Sequence, residues 1–137
     1  MLGELRAVHR VEAHVGEAAR LGGIERRVEA HAGDLLEAAR LRYLKNRWAR
    51  RLETIPGVRL HTPFDPAQSC GLANVGLDAV DCQKLGEHLW TRFRIIVVPI
   101  KREDYQGIRV TPNVYTTIDE IDTFAEIVEG VARRGSL

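Results

Sequence analysis

At Ile55-Pro56-Gly57 the hydrophobic period of this chain changes, and that change limits the folds open to it. Upstream, from Ile24, apolar residues recur at helical spacing through Val28, Leu35, Leu36, Ala39, Tyr43, Leu44, Trp48 and Leu52. Proline lacks the backbone donor a helix needs and clashes with the preceding turn, so the helix stops there. Gly33-Asp34 is its weak point, where a break is allowed. Downstream, Val58-Arg59-Leu60-His61-Thr62 alternates and Gly71–Leu77 is a short apolar run, both patterns of strands. A long helix that leads into paired strands predicts an α+β fold.

The remaining elements follow from local signals. Leu2, Leu5, Val8, Val15 and Ala19 lie near helical spacing and predict a first amphipathic helix over Leu2–Leu21, ended by Gly22-Gly23. Pro63-Phe64-Asp65-Pro66 is a turn-rich link, since each proline fixes its own φ and restricts its predecessor. Asp81 opens a short helix with Val80, Leu85, Leu89 and Trp90 inward. Phe93–Ile100 reads as a β-branched strand, Lys101–Gln106 as a polar loop, and Gly107–Thr111 as a further strand. Asp119–Arg133 is a closing helix with Ile121, Phe124, Ile127, Val128 and Val131 inward. Thr117 and Glu120 form the Thr-x-x-Glu capping box that specifies its start. The expected architecture is a small antiparallel or mixed sheet with helices packed on one face, preceded by long helices.

Composition narrows function. Charged residues are 28% of the 137 and leave a formal net charge of +1, so no global field attracts nucleic acid or an acidic membrane. No apolar run approaches the roughly 18 residues of a membrane helix, and Met1–Arg10 is too charged for a signal peptide. Cys70 and Cys82 are too few for a disulfide framework, which predicts a reducing compartment, the cytoplasm. Both thiols read as buried small hydrophobes, although Cys82, in a helix's first turn, could have a lowered pKa. His9, His14, His31, His61 and His88 include no i, i+4 pair, so no metal is expected. Asp119 and Asp122 complement the dipole of the closing helix. Arg47, Arg50 and Arg51 beside Trp48 read as a solvated helix face.

The segment Gly107-Ile108-Arg109-Val110-Thr111-Pro112-Asn113-Val114-Tyr115-Thr116-Thr117-Ile118-Asp119-Glu120-Ile121-Asp122 resembles the end of class V aminotransferases and cysteine desulfurase-like enzymes. Those proteins show Arg, a small or hydroxyl residue two further on, then Tyr-Asn-Thr before Glu-Ile/Val-Asp; here Thr116 stands in the Asn place. With the Asp-Pro-Ala-Gln-Ser-Cys-Gly-Leu turn at residues 65–72, the pattern is most similar to the isopenicillin-N-epimerase-like branch. The resemblance covers roughly Ala39 to Arg133, which implies a class V-like small domain over residues 39–137 and sets residues 1–38 apart as a helical segment whose role it does not define.

The resemblance implies the small domain of a fold-type I enzyme that uses pyridoxal phosphate, with Arg109 gripping the α-carboxylate of an amino-acid substrate and Asn113 and Tyr115 lining the same pocket. A planar guanidinium suits that task because it offers two parallel charge-assisted hydrogen bonds. The bland alternative pairs Arg109 with Glu103 or Asp104 across a loop, and packs Tyr115 ahead of the helix cap. The family's cofactor lysine belongs to a large domain upstream. Lys45, Lys84 and Lys101, the only lysines here, read as solvated surface charges, so no covalently bound cofactor and no catalytic residue are expected of this chain alone. Val97–Gly107 lacks the nucleophilic cysteine of a desulfurase. The expected partners are a PLP-binding large domain or a second copy of the chain. The reading from a different class is a non-catalytic, self-associating assembly module derived from that domain.

Overall fold

The computed structural model describes residues 25–137, with side chains from residue 32 onward. The expected helix over Leu2–Leu21 lies outside the described residues. The fold divides into two units, Met1–Arg40 and Leu41–Leu137. The elements run α1 (Glu25–Leu52), β1 (Val58–Leu60), β2 (Ala73–Leu77), α2 (Cys82–Phe93), β3 (Val98–Lys101), β4 (Gln106–Val110) and α3 (Ile118–Arg134). α1 runs unbroken through Gly33-Asp34, where a break was allowed, because a single glycine costs only about 1 kcal/mol and need not end a helix.

The sheet is antiparallel throughout, in the order β1-β2-β4-β3. Its pleat sorts side chains onto two faces. Ala73, Val75 and Leu77 of β2, with Ile108 and Val110 of β4, join one core with Leu44, Trp48 and Leu52 of α1, Leu85 and Leu89 of α2, and Phe124, Val128 and Val131 of α3. The helices thus cover one face. Trp48 is fully buried and meets Phe124 edge to face, ring centroids 5.5 Å apart. The opposite face carries Arg59, Asn74, Gly76, Gly107 and Arg109, as the register pairs Arg59 with Gly76 and Asn74 with Arg109.

The helix ends follow their sequence signals. Asp81 caps α2 by accepting from the N–H of Gln83 and Lys84. Thr117 Oγ1 accepts from Glu120 N at 3.2 Å while Thr117 N donates to Glu120 Oε2 at 2.7 Å, the full capping box. Thr117→Ala is expected to lower stability by about 1 kcal/mol, measured as a shift in denaturant midpoint at constant slope.

Three expectations are corrected. The strand expected over Phe93–Ile100 is only Val98–Lys101, because α2 continues through Phe93 and ends with Arg94 in the left-handed region at φ 60°, its N–H donating to Leu89 and Trp90 carbonyls. Trp90, expected inward, is 46% exposed on the far side of that helix, with the Arg94 guanidinium 5.4 Å from its ring centre. The loop expected over Lys101–Gln106 is a tight hairpin whose end residues belong to β3 and β4, closed by Arg102 N donating to Tyr105 O at 2.8 Å.

Arg47, Arg50 and Arg51 are not simply solvated. Arg47 holds Asp122 through Nε and Nη2 at 2.6 and 2.8 Å, Arg51 Nε holds Glu129 at 2.7 Å, and Arg50 lies 4.9 Å from the Phe64 ring centre. Two of these contacts clip α1 to α3, and Asp122 serves this clip as well as the helix dipole. The Arg47 guanidinium holds the Asp122 carboxyl below the usual carboxylate range.

Candidate functional site

β4 carries Arg109 at the centre of the uncovered sheet face. Its neighbours Ile108 and Val110 are buried toward the helices, so the strand's alternation turns Arg109 outward. The side chain is exposed, and no hydrogen bond or ion pair engages it among the described residues. Neither Glu103 nor Asp104 pairs with it. Arg109 therefore presents a planar cation with its donors free for a ligand.

Beside it stands Asn74, which the sequence did not single out. It faces Arg109 in the β2–β4 register and is 8% exposed, and both ends of its carboxamide lack a hydrogen-bond partner among the described residues. The side chain lies over Gly107: a Cβ there would strike Asn74 Oδ1 and sit 2.8 Å from the Val75 carbonyl oxygen. A cleft of about 1020 Å³ runs along the same face toward β1, lined by Arg59, His61, Asn74, Gly76, Asp78 and Tyr105 among others. His61 spans that cleft above Gly76, its Nε2 3.2 Å from the Gln106 carbonyl oxygen and its ring 4.9 Å from that of Tyr105. Arg59 closes the far end by pairing with Asp78, whose carboxyl it holds below its ordinary pKa.

Asn113 and Tyr115 lie in the loop between β4 and α3. The Asn113 side-chain oxygen accepts from Tyr115 N at 2.8 Å and Thr116 Oγ1 at 3.3 Å, an arrangement that shapes the turn. The Tyr115 side chain is 87% exposed, so it does not pack ahead of the α3 cap.

The lysines decide whether pyridoxal phosphate fits these residues. Lys45 is not a surface charge: it is 1% exposed, donates to Ser69 Oγ at 2.8 Å and reaches Pro63 O at 3.5 Å, because the proline-rich link folds over it. Burial and the nearby Arg42 push its amine below the usual lysine range. Lys101 is ion-paired to Asp81 at 2.8 Å, and Lys84 stands on the exposed side of α2. None lines the cleft beside Asn74. The described residues do not fit the cofactor, and no step through it follows from them. Cys70 is exposed, correcting the expectation of burial, since β2 begins only at Ala73; Cys82 is buried, its Sγ 3.5 Å from the Ile100 carbonyl oxygen. No cluster of metal ligands occurs among the described residues, and no described helix is long and apolar enough to cross a membrane.

The buried amine has a pH consequence. Below its lowered folded pKa, Lys45 is charged in both states and its desolvation cost is fully present; as pH rises toward the unfolded value the native state sheds the proton first and the cost is relieved. Lys45→Met is therefore expected to stabilise the chain at pH 7, by on the order of 1 kcal/mol. Thermal melts between pH 7 and about 10.5 should show the gain shrinking as pH rises.

No family profile matches the chain. Over 104 residues, 75% of its length, it is 33% identical to isopenicillin N epimerase of Streptomyces clavuligerus, of which the match spans 26%. Among solved structures it is similar to the apo cysteine desulfurase of Thermococcus onnurineus NA1, with a TM-score of 0.64 at 18% identity over 80% of this chain and 29% of that one. A NifS-like protein gives a TM-score of 0.61 at 22% identity, covering 82% of this chain and 33% of that one. The chain thus spans about a quarter of the curated relative and a third or less of each solved neighbour.

Proposed function

From the relationship of this chain to the class V aminotransferase-like proteins, and its fold as their small α+β domain, we propose that it forms the substrate-carboxylate side of a pyridoxal-phosphate site that acts on an amino acid. Arg109 is the carboxylate ligand. A large domain, in the same longer polypeptide or in a separate one, holds the cofactor and its lysine. These 137 residues are inactive by themselves in this reading.

The observation that carries the proposal is the state of Arg109: exposed on the uncovered sheet face and free of any acidic partner among the described residues. Glu103 and Asp104 lie on the neighbouring hairpin, and neither pairs with it. The test is titration of the chain with acetate, followed through the backbone amide resonances of residues 107–111, which the native chain and the Arg109 variants share. Arg109→Gln is expected to weaken acetate binding about tenfold, the equivalent of one charge-assisted bidentate pair. Arg109→Lys should fall between, since an ammonium keeps the charge and loses the fork. Binding that is equal in all three would overturn the assignment.

A self-associating module is the second reading, supported by the exposed apolar side chains Trp90, Phe93, Ile96 and Val98 along the α2–β3 connection. Sedimentation that depends on concentration and is abolished by Trp90→Glu would favour it; a monomer up to high micromolar concentration would remove it.

A further inference from the structure

Asn74 stands out on this molecule because its environment leaves it unresolved. Buried carboxamides almost always find partners, and an unmet one costs the fold stability. Here both Nδ2 and Oδ1 are shielded from water and unpaired, on a residue that is 8% exposed in a central strand. The backbone around it is fully engaged: Asn74 N donates to Thr62 Oγ1 at 3.0 Å and Asn74 O accepts from His61 N at 2.9 Å. Only the side chain is left over. Gly107 provides the space in which that side chain lies, and a Cβ at that position would fill it. The carboxamide lies directly across the ladder from Arg109 and on the wall of the cleft.

We propose that Asn74 is a second ligand-binding residue of the Arg109 site, and that the ligand it recognises is a carboxylate with a neighbouring N–H, as in an α-amino acid or its N-acyl derivative. The proposal rests on the reading of Arg109 as a carboxylate ligand. A carboxamide carries a donor and an acceptor side by side. With the carboxylate on the guanidinium, Nδ2–H donates to a carboxylate oxygen and Oδ1 accepts from the adjacent N–H. The χ2 torsion of asparagine is broad, so a modest rotation turns the amide toward the cleft. A simple carboxylate satisfies half of this pair, and an N–H-bearing carboxylate satisfies both.

Two probes isolate the N–H. N-acetylglycine and levulinate have the same carboxylate and the same terminal acetyl group, and differ in NH against CH2. In the native chain N-acetylglycine is expected to bind about fivefold tighter, the worth of one hydrogen bond, and to shift the Asn74 Nδ2 resonances where levulinate shifts them less. Asn74→Leu, close in size and free of unmet polar atoms, should fold at least as stably and bind the two probes equally. Equal affinity of the probes in the native chain, unmoved Asn74 resonances, or a ratio that survives in Asn74→Leu would each overturn the proposal. Arg109→Gln separates the two claims. If it weakens both probes while the probes bind alike, Arg109 keeps its role and Asn74 loses its own; if it weakens neither, both assignments fall.

Discussion

Trp48→Ala is expected to cost the domain about 4 kcal/mol, a large part of the stability of any domain of this size. The indole is wholly enclosed between α1, the sheet and α3, and its edge-to-face contact with Phe124 joins the two helices. Truncation removes this contact and leaves a cavity at a point where rigid elements on both sides prevent collapse. Trp48→Phe should be far milder, within roughly 1 to 2 kcal/mol, because the smaller ring keeps the aromatic contact and removes a buried indole N–H that has no acceptor among the described residues. Denaturant unfolding of the two variants gives both figures. Equal losses would mean that the aromatic contact is not what the core depends on.

Gly107→Ala is the second large effect, expected at about 3 kcal/mol. This glycine is not needed for a turn. It sits inside β4, where an added methyl group would meet the Asn74 carboxamide on one side and the Val75 carbonyl oxygen, 2.8 Å away, on the other. The first obstacle is a side chain and can be moved, whereas the second is the backbone of the neighbouring strand. The double variant Gly107→Ala/Asn74→Ala should therefore recover only part of the loss. Full recovery in the double-mutant cycle would show that the amide alone occupies the space.

The parts of this fold that are legible in the sequence are the locally specified ones. The α3 start was legible because a capping box is a local device, complete within Thr117–Glu120. The helix stop ahead of Pro56 and the strands after it followed from a period change that needs no tertiary information, whereas the strictly antiparallel pairing was left open. Arg109 was singled out by the motif around it, and the structure places it exposed on β4. Asn74 was not, since nothing in Leu72–Leu77 marks one polar residue in a buried strand as the cross-strand partner of an arginine thirty-five positions later; only the register shows that. Lys45 was misread for a similar reason. Its place on a charged helix suggested solvent, and its burial comes from the link at residues 63–69 folding over it. The strand boundary at Val98 was missed because the β-branched Ile95–Val97 run suggests a strand, while the left-handed Arg94 cap delays the β3 pairing.

The proposed function divides the site: these residues would bring the carboxylate recognition and another domain the cofactor. The most direct test is to add pyridoxal phosphate to the 137-residue chain, look for the visible band of an imine, reduce with borohydride and map the labelled lysines. No saturable band is expected, and only sparse labelling spread over Lys84 and Lys101, with the buried Lys45 protected. A saturable band with stoichiometric label at a single lysine would overturn the divided site and make this chain a cofactor-binding protein in its own right.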